Sequence, residues 1–566
     1  MNLFWPYGLS DLPLFVWFLF VTTVLISSLV IYRLTFHPLA RFPGPRLAAS
    51  TGLYEAYYQC IKDGGGRYWV EIEKMHQHYG PIVRINPWEV HIADPDWNAV
   101  YKYSAKASKP RWFYFRFFGK FPSTNVAESH ALHQLRRAPL QVYFASSNIQ
   151  RYMPTIVAQV DKLCARLRAV AVNNHSSDVV SLSDAFRCLA TDVATGFAFG
   201  TPFGHLDEPT FDREFNLSVR TVVRAGTWSR HTFGLLLPLL HSLPESVAKK
   251  MNPAFGRLKW MKDTMTSCVR RSMNKPEPAP GSPPDMVQTL MASSLPEEEK
   301  TFPRLFSESR SVIMAGTETT ATTLVCITSY LLSDASKLEK LRRELHDAEE
   351  AKRANGGVDG DGSLSYADLR ELPYITGVIN EGLRLANPTP SRLPRVCEDQ
   401  DLGYKGWVIP RGPPPNSLPR PRRVRGAHQT TISTTTQDTH HDASIFTTPR
   451  AFLPERWADP EERRRLGRYL QPWGRGTRLC LGMELATIDA YLAVSRLFGP
   501  RAGFAMQHLG DTVDEDWKPY HEWFAAFPRG RGLRVRVRVE SKAAGPEVDG
   551  NGDGEKGEKG PVEELL

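Results

Sequence analysis

The chain lacks a cysteine framework. Its seven cysteines, Cys60, Cys164, Cys188, Cys268, Cys326, Cys397 and Cys480, show no paired spacing, which excludes a disulfide-stapled secreted scaffold and points to a reducing compartment. Also missing is any patch where basic residues interleave with aromatics. A net charge of +9 is modest for 566 residues, so no nucleic-acid partner is expected, whereas an acidic protein or an anionic membrane surface suits the balance. No internal repeat is visible. Hydrophobic residues make up 42% and aromatics 11%, enough for a substantial core.

Charge is absent altogether between Asp11 and Arg33, and Leu12 to Tyr32 is rich in Leu, Phe, Val and Ile. About twenty apolar residues span a bilayer. A cleaved signal peptide is the competing reading, but no basic segment precedes the run and no small-residue cleavage site follows it, so residues 1–35 read as an uncleaved anchor. Arg33, Arg41 and Arg46 follow the span, which places the bulk of the chain in the cytosol. The sequons at Asn174 and Asn216 then never meet the glycosylation machinery. From about Ser541 the chain turns to Gly, Glu, Lys and Asp, the composition of a disordered tail over 541–566.

Between these ends, Pro81–Ile85 and Glu89–Ile92 predict short strands, and helical periodicity dominates from about Ser146 to Leu332, interrupted by the proline-rich run from Lys275 to Gly281. Phe42-Pro43-Gly44-Pro45 reads as a stiff turn. One segment fits no element: Pro413 to Gln429 is crowded with prolines and arginines and buries no apolar face. It is either a real insertion or intron sequence carried into the translation, and its composition favours the second.

The chemistry concentrates near the C-terminus. Trp473-Gly474-Arg475-Gly476-Thr477-Arg478-Leu479-Cys480-Leu481-Gly482 places one cysteine in a glycine-punctuated loop that runs into the helical pattern Met483-Glu484-Leu485-Ala486. Free backbone N–H groups at a helix start stabilise a thiolate, and Gly476 and Gly482 are expected to let the chain approach a flat cofactor. A single axial cysteine fits haem better than zinc, which takes about four ligands. Ala315-Gly316-Thr317-Glu318-Thr319-Thr320 lies in a helical stretch from Phe306 to Leu332, where small residues leave room for a diatomic ligand, and Glu318 and Thr319 offer an acid and a hydroxyl relay. Glu381 and Arg384 stand one turn apart and can pair.

The cysteine segment resembles the haem-binding signature of the cytochrome P450 family, F-x-x-G-x-R-x-C-x-G, with Trp473 where phenylalanine is usual. The segment from Ala315 resembles that family's A-G-x-[DE]-T-[TS] oxygen-activation motif. Pro454-Glu455-Arg456-Trp457 resembles the segment that completes its Glu-Arg-Arg core with Glu381, Arg384 and Arg456. His133-Gln134-Leu135-Arg136-Arg137 occupies the place of its W-x-x-x-R helix, with histidine in the tryptophan position. The resemblance implies a mainly α fold with small β-sheets, the cytochrome P450 fold, over 36–540 behind the N-terminal transmembrane helix. It implies haem b with its iron on Cys480, propionate contacts from Arg478, Arg137, His133 and Arg395, and catalytic roles for Glu318 and Thr319.

No flavin or nicotinamide domain is recognisable, so the resemblance also implies electrons from NADPH through a separate reductase. The membrane-anchored form resembles fungal microsomal enzymes of secondary metabolism: single-pass in the endoplasmic reticulum membrane, with the catalytic domain cytosolic. The expected reaction is insertion of one oxygen atom into an apolar small molecule, such as a terpenoid or polyketide. The rival readings are a haem protein that isomerises or binds ligands without activating oxygen, and an inactive membrane-bound homologue. The aromatic run Trp112 to Phe118 is read either as pocket lining or as ordinary core or membrane contact. Arg463, Arg464, Arg465, Arg468 and Arg475 form either a docking face for an acidic reductase or a solvated charged surface.

Overall fold

A computed structural model of the chain describes residues 14–119, 121–173, 179–236, 254–275, 283–354, 363–412 and 430–540, with isolated positions between 237 and 253. Residues 413–429 and 541–566, singled out in the sequence, lie outside the described residues, as does Asn174.

The first helix, α1 (Leu14–Ile31), has no buried residue, and the apolar stretch Leu14–Phe36 is long enough to cross a bilayer. The proline turn that follows docks on the body, with the Arg84 amide donating to the Pro43 carbonyl at 2.7 Å. A Cβ on Gly44 would meet the Arg84 carbonyl oxygen at 2.4 Å, so only glycine allows this approach.

The two expected strands exist, β1 (Ile82–Asn86) and β2 (Glu89–Ile92), and form an antiparallel pair. Apolar and polar residues alternate in part along them, and every residue in both strands is buried. The polar face is satisfied internally. Arg84 donates to the Arg33 and Pro87 carbonyls, Asn86 to Glu55 and Glu89, and Arg392 pairs with both Glu55 and Glu89. The parallel third strand of this sheet is β6 (Thr431–Ser433). Among the described residues three further sheets complete the β content: β3 (Val179–Ser181), β10 (Arg534–Val539) and β7 (Phe504–His508) in one, β4 (Leu402–Tyr404) with β5 (Trp407–Ile409), and β8 (His521–Trp523) with β9 (Ala525–Phe527).

The remainder of the described chain is mainly helical. The helices that position the site are α2 (Arg111–Phe118), α3 (His130–Tyr143), α4 (Leu182–Phe199), α5 (Phe302–Ser333), α6 (Pro373–Ala386), α7 (Thr436–His440), α8 (Pro460–Gly467) and α9 (Met483–Phe498). Long α5 threads the main hydrophobic core and packs on α4, α6 and α9. Its start is marked by Pro303 in the first turn, where a missing N–H costs nothing. Helix α3 begins at Ser129, whose hydroxyl accepts from the Leu132 amide at 3.2 Å, and α6 ends where Asn387 turns left-handed at φ 37°.

Asn216 is 5% exposed and its side-chain amide is bonded to Asp184 and the Phe211 carbonyl. That sequon cannot be modified in the folded chain, whichever side of a membrane it occupies.

Candidate active site

Cys480 sits on the turn between a 3₁₀ segment at Gly476–Arg478 and helix α9. Its amide donates to the Trp473 carbonyl at 2.9 Å, and the Leu479 amide donates to Gly476 at 3.0 Å, which closes the loop on itself. Gly476 has a purpose other than the one its position suggests. It adopts φ +69°, and a Cβ there would lie 2.1 Å from the Tyr101 carbonyl oxygen, so the glycine lets the loop pack against neighbouring backbone. Cys480 keeps solvent access while lying deep among protein atoms. Burial pushes its thiol above the ordinary range, while a hydrogen bond from the Gly482 amide and the Arg137 guanidinium pull it down.

Around this cysteine the structure gathers positive charge. Arg137 and His133 share one face of α3, and both are buried. Arg478 donates to the carbonyls of Ala127, Glu128 and Ser129, which ties the cysteine loop to the start of that helix. Among the described residues its buried Nε has no partner, and neither has Nδ1 of His133. Burial lowers Arg478 to about 9, helped by Arg395 and Arg137. Burial lowers His133 to about 2, with Arg478, Lys109, Arg137 and Arg395 acting in the same direction, so its imidazole is neutral. Arg395 is held by the Tyr114 hydroxyl at 2.8 Å and by the Leu393 and Pro394 carbonyls.

Lys109, which no sequence pattern marked, belongs to the same cluster. Among the described residues no hydrogen bond or ion pair joins Lys109, Arg137, Arg395 or Arg478 to a carboxylate. Buried charge without a counter-ion is expensive, so this donor set suits a dianionic ligand such as the two propionates of haem beside a thiol.

The α5 segment is arranged partly as its sequence suggests. Ala315 is exposed within a helix that is otherwise mostly buried, and the Thr319 hydroxyl donates to the Ala315 carbonyl at 2.7 Å, one turn back. Glu318 is not poised over the hydroxyl. Both of its oxygens engage Arg187 of α4, at 2.8 to 3.1 Å, and the carboxylate is 4% exposed. The acid and the alcohol are neighbours in sequence, yet among the described residues no hydrogen bond joins them.

Behind the cysteine lies a buried ion triad. Glu381 accepts from Arg384 at 2.6 and 2.9 Å, from Arg456 at 3.0 Å, from the Trp457 indole at 3.0 Å and from the Leu453 amide at 3.1 Å. Arg384 also donates to the carbonyls of His440, Pro449 and Ala451. The link to the cysteine loop is His440 of α7, missed by sequence reasoning: Nδ1 meets the Arg384 carbonyl at 3.1 Å and Nε2 accepts from the Gln471 amide at 2.9 Å. Burial and the Arg384 charge lower His440 to about 3, so the ring stays neutral and bridges the two segments with one fixed tautomer. The bridge depends on two backbone groups, and neither is visible in a linear pattern.

Helix α2 carries Phe113, Tyr114 and Phe117 inward, and Phe524, held at the strained φ of +75°, packs its ring against Phe117 and Phe118. Helix α8 displays Arg464, and the exposed Arg468 follows it. Arg465 is taken up by Glu462, and the half-buried Arg475 donates to the Arg468 carbonyl.

Comparison with known proteins agrees in sequence. The family profile described as Cytochrome P450 matches residues 56–499. The chain is 34% identical to a cytochrome P450 monooxygenase of Ascocoryne sarcoides, over 90% of this chain and 96% of that one. It is 35% identical to a conidiogenone synthase of Penicillium rubens, over 93% and 99%. A tryptophan 6-hydroxylase of Fusarium equiseti is 34% identical, over 90% and 94%.

Proposed function

The chain belongs to the cytochrome P450 family, and from that premise we propose that it is a membrane-anchored monooxygenase that inserts one oxygen atom into an apolar secondary metabolite. The observation that carries this reading is the placement of Cys480 beside a cluster of buried cations that lacks a carboxylate. Family membership brings haem iron and electrons from a redox partner. We assign the catalytic unit to 36–540, the anchor to 1–35 and a tail to 541–566.

In this reading Cys480 would hold the haem iron, and Arg137, Arg478, His133 and Arg395 would hold the propionates. Bound there, the haem would supply oxygen activation, with the thiolate donating electron density to iron. The protein's own part is to place charge and protons. The Gly482 amide and Arg137 favour the thiolate over the thiol. Thr319 presents a hydroxyl within the segment opened by Ala315, and Glu318, once its carboxylate leaves Arg187, would take up a proton from solvent and pass it to that hydroxyl. Glu381, Arg384 and Arg456 hold the backbone behind the loop. The aromatic wall of α2 and Phe524 excludes water and suits a terpenoid or polyketide skeleton.

NADPH through a separate reductase is the assigned electron source, and the endoplasmic reticulum membrane, with the body in the cytosol, is the assigned location. The relatives' names, a conidiogenone synthase and a tryptophan 6-hydroxylase among them, support oxidation of specialised metabolites without fixing one skeleton.

The test is Cys480→Ser. A neutral hydroxyl is a poor iron ligand, so the carbon monoxide difference band typical of a thiolate should vanish while the wild type shows it. A normal thiolate band in the variant would remove the assignment. Reductant-dependent product formation then separates an oxygenase from an isomerase.

A further inference from the structure

We propose that Lys109 is a further haem-binding residue: its ammonium neutralises a carboxylate of the cofactor and raises the reduction potential of the iron. The proposal rests on the reading that the site holds haem. Lys109 is 8% exposed, and among the described residues its Nζ reaches only neutral groups, the Asn125 carbonyl at 2.5 Å and the Asn125 side-chain oxygen at 3.3 Å. It also lies 4.3 Å from the centre of the Tyr114 ring, whose hydroxyl receives Arg395. Lys109 and Arg395 therefore grip one aromatic side chain by face and by edge.

The charges acting on Lys109 are those of Arg478 and Arg395, and both oppose its protonation, as burial does. A lysine so buried is rare unless paired, and its retention among like charges calls for an anion that the described residues do not provide. Holding the segment around Asn125 is a task a neutral donor could perform. Four cations, Lys109, Arg137, Arg395 and Arg478, face two propionates, so positive charge remains in surplus at the cofactor edge. A surplus of that sign favours the ferrous over the ferric state.

The test compares full-length wild type with Lys109→Met, Lys109→Gln and Lys109→Arg, all loaded with haem. Three readouts are taken: the carbon monoxide band, the rate of haem transfer to apomyoglobin and the potentiometric midpoint. Lys109→Met and Lys109→Gln should keep the thiolate band, lose haem about tenfold faster, corresponding to one charge-assisted hydrogen bond, and shift to a more negative potential. Lys109→Arg should match wild type. Lys109→Gln retains a donor for the Asn125 carbonyl, so an unshifted potential in that variant overturns the proposal even if Lys109→Met folds poorly. Equal haem loss in all four proteins overturns it as well. A wild type without a thiolate band defeats the haem reading itself, and a normal band with unshifted variants defeats only the role of Lys109.

Discussion

At the residue scale, the motif around Glu318 and Thr319 shows what spacing conveys and what it leaves out. Adjacent letters suggested an acid feeding a hydroxyl, and the hydroxyl does bond back to Ala315. The acid is captured by Arg187, more than a hundred residues away, a partner no local pattern could announce. Thr319→Ala is expected to keep haem and uncouple turnover, with reductant consumed and peroxide released. Coupling of product to reductant at the wild-type ratio would count against the relay. Asp489 on α9 carries a second prediction. It is 5% exposed, its Oδ1 has no partner among the described residues, and burial raises its carboxyl to about 8. The unfolded chain ionises this group near pH 4, so between about pH 4 and 8 folding must retain a proton that the unfolded state has released, and stability falls as pH rises. Asp489→Asn should therefore raise the melting temperature at pH 8 and have little effect near pH 4. A gain of equal size at both pH values would contradict the argument.

Among elements, the legible ones were those whose pattern is periodic or whose chemistry is local. The apolar N-terminal helix, β1, β2 and the long helix α5 stand close to where the sequence pattern puts them, although α5 starts four residues before the expected Phe306. The burial of both faces of β1 and β2 was not legible, because it depends on Glu55 and Arg392 arriving from distant segments. The pairing of Glu381 with Arg384 followed from their spacing, whereas the bridge through His440 depends on backbone groups. Lys109 went unmarked because a lone lysine before an aromatic helix reads as surface. The triad also makes a prediction about α6 and the cysteine loop together. Glu381→Gln leaves two arginines beside a neutral amide, a break that costs about 3–5 kcal/mol in a buried pair. Thermal unfolding should show a large drop, with haem lost at a lower temperature than in wild type. An unchanged melting temperature would show that the triad does not support the loop.

For the whole molecule, two stretches of exposed surface carry predictions, one charged and one apolar. Arg464 and Arg468 stand exposed at and beyond α8, close in sequence to the cysteine loop. Reversing both to glutamate is expected to slow electron transfer from a reductase at low ionic strength, with the defect shrinking as salt rises. Equal rates for variant and wild type in low salt would reduce these arginines to a solvated surface. The other region begins at α1, which buries none of its own residues, and continues through exposed Phe36, Leu47, Leu53, Tyr57 and Ile61. A chain tethered through such a surface searches a plane rather than a volume. Its encounters with a reductase would then scale with copies per area of bilayer, so adding empty vesicles at constant protein should dilute the reaction although the bulk concentration never changes.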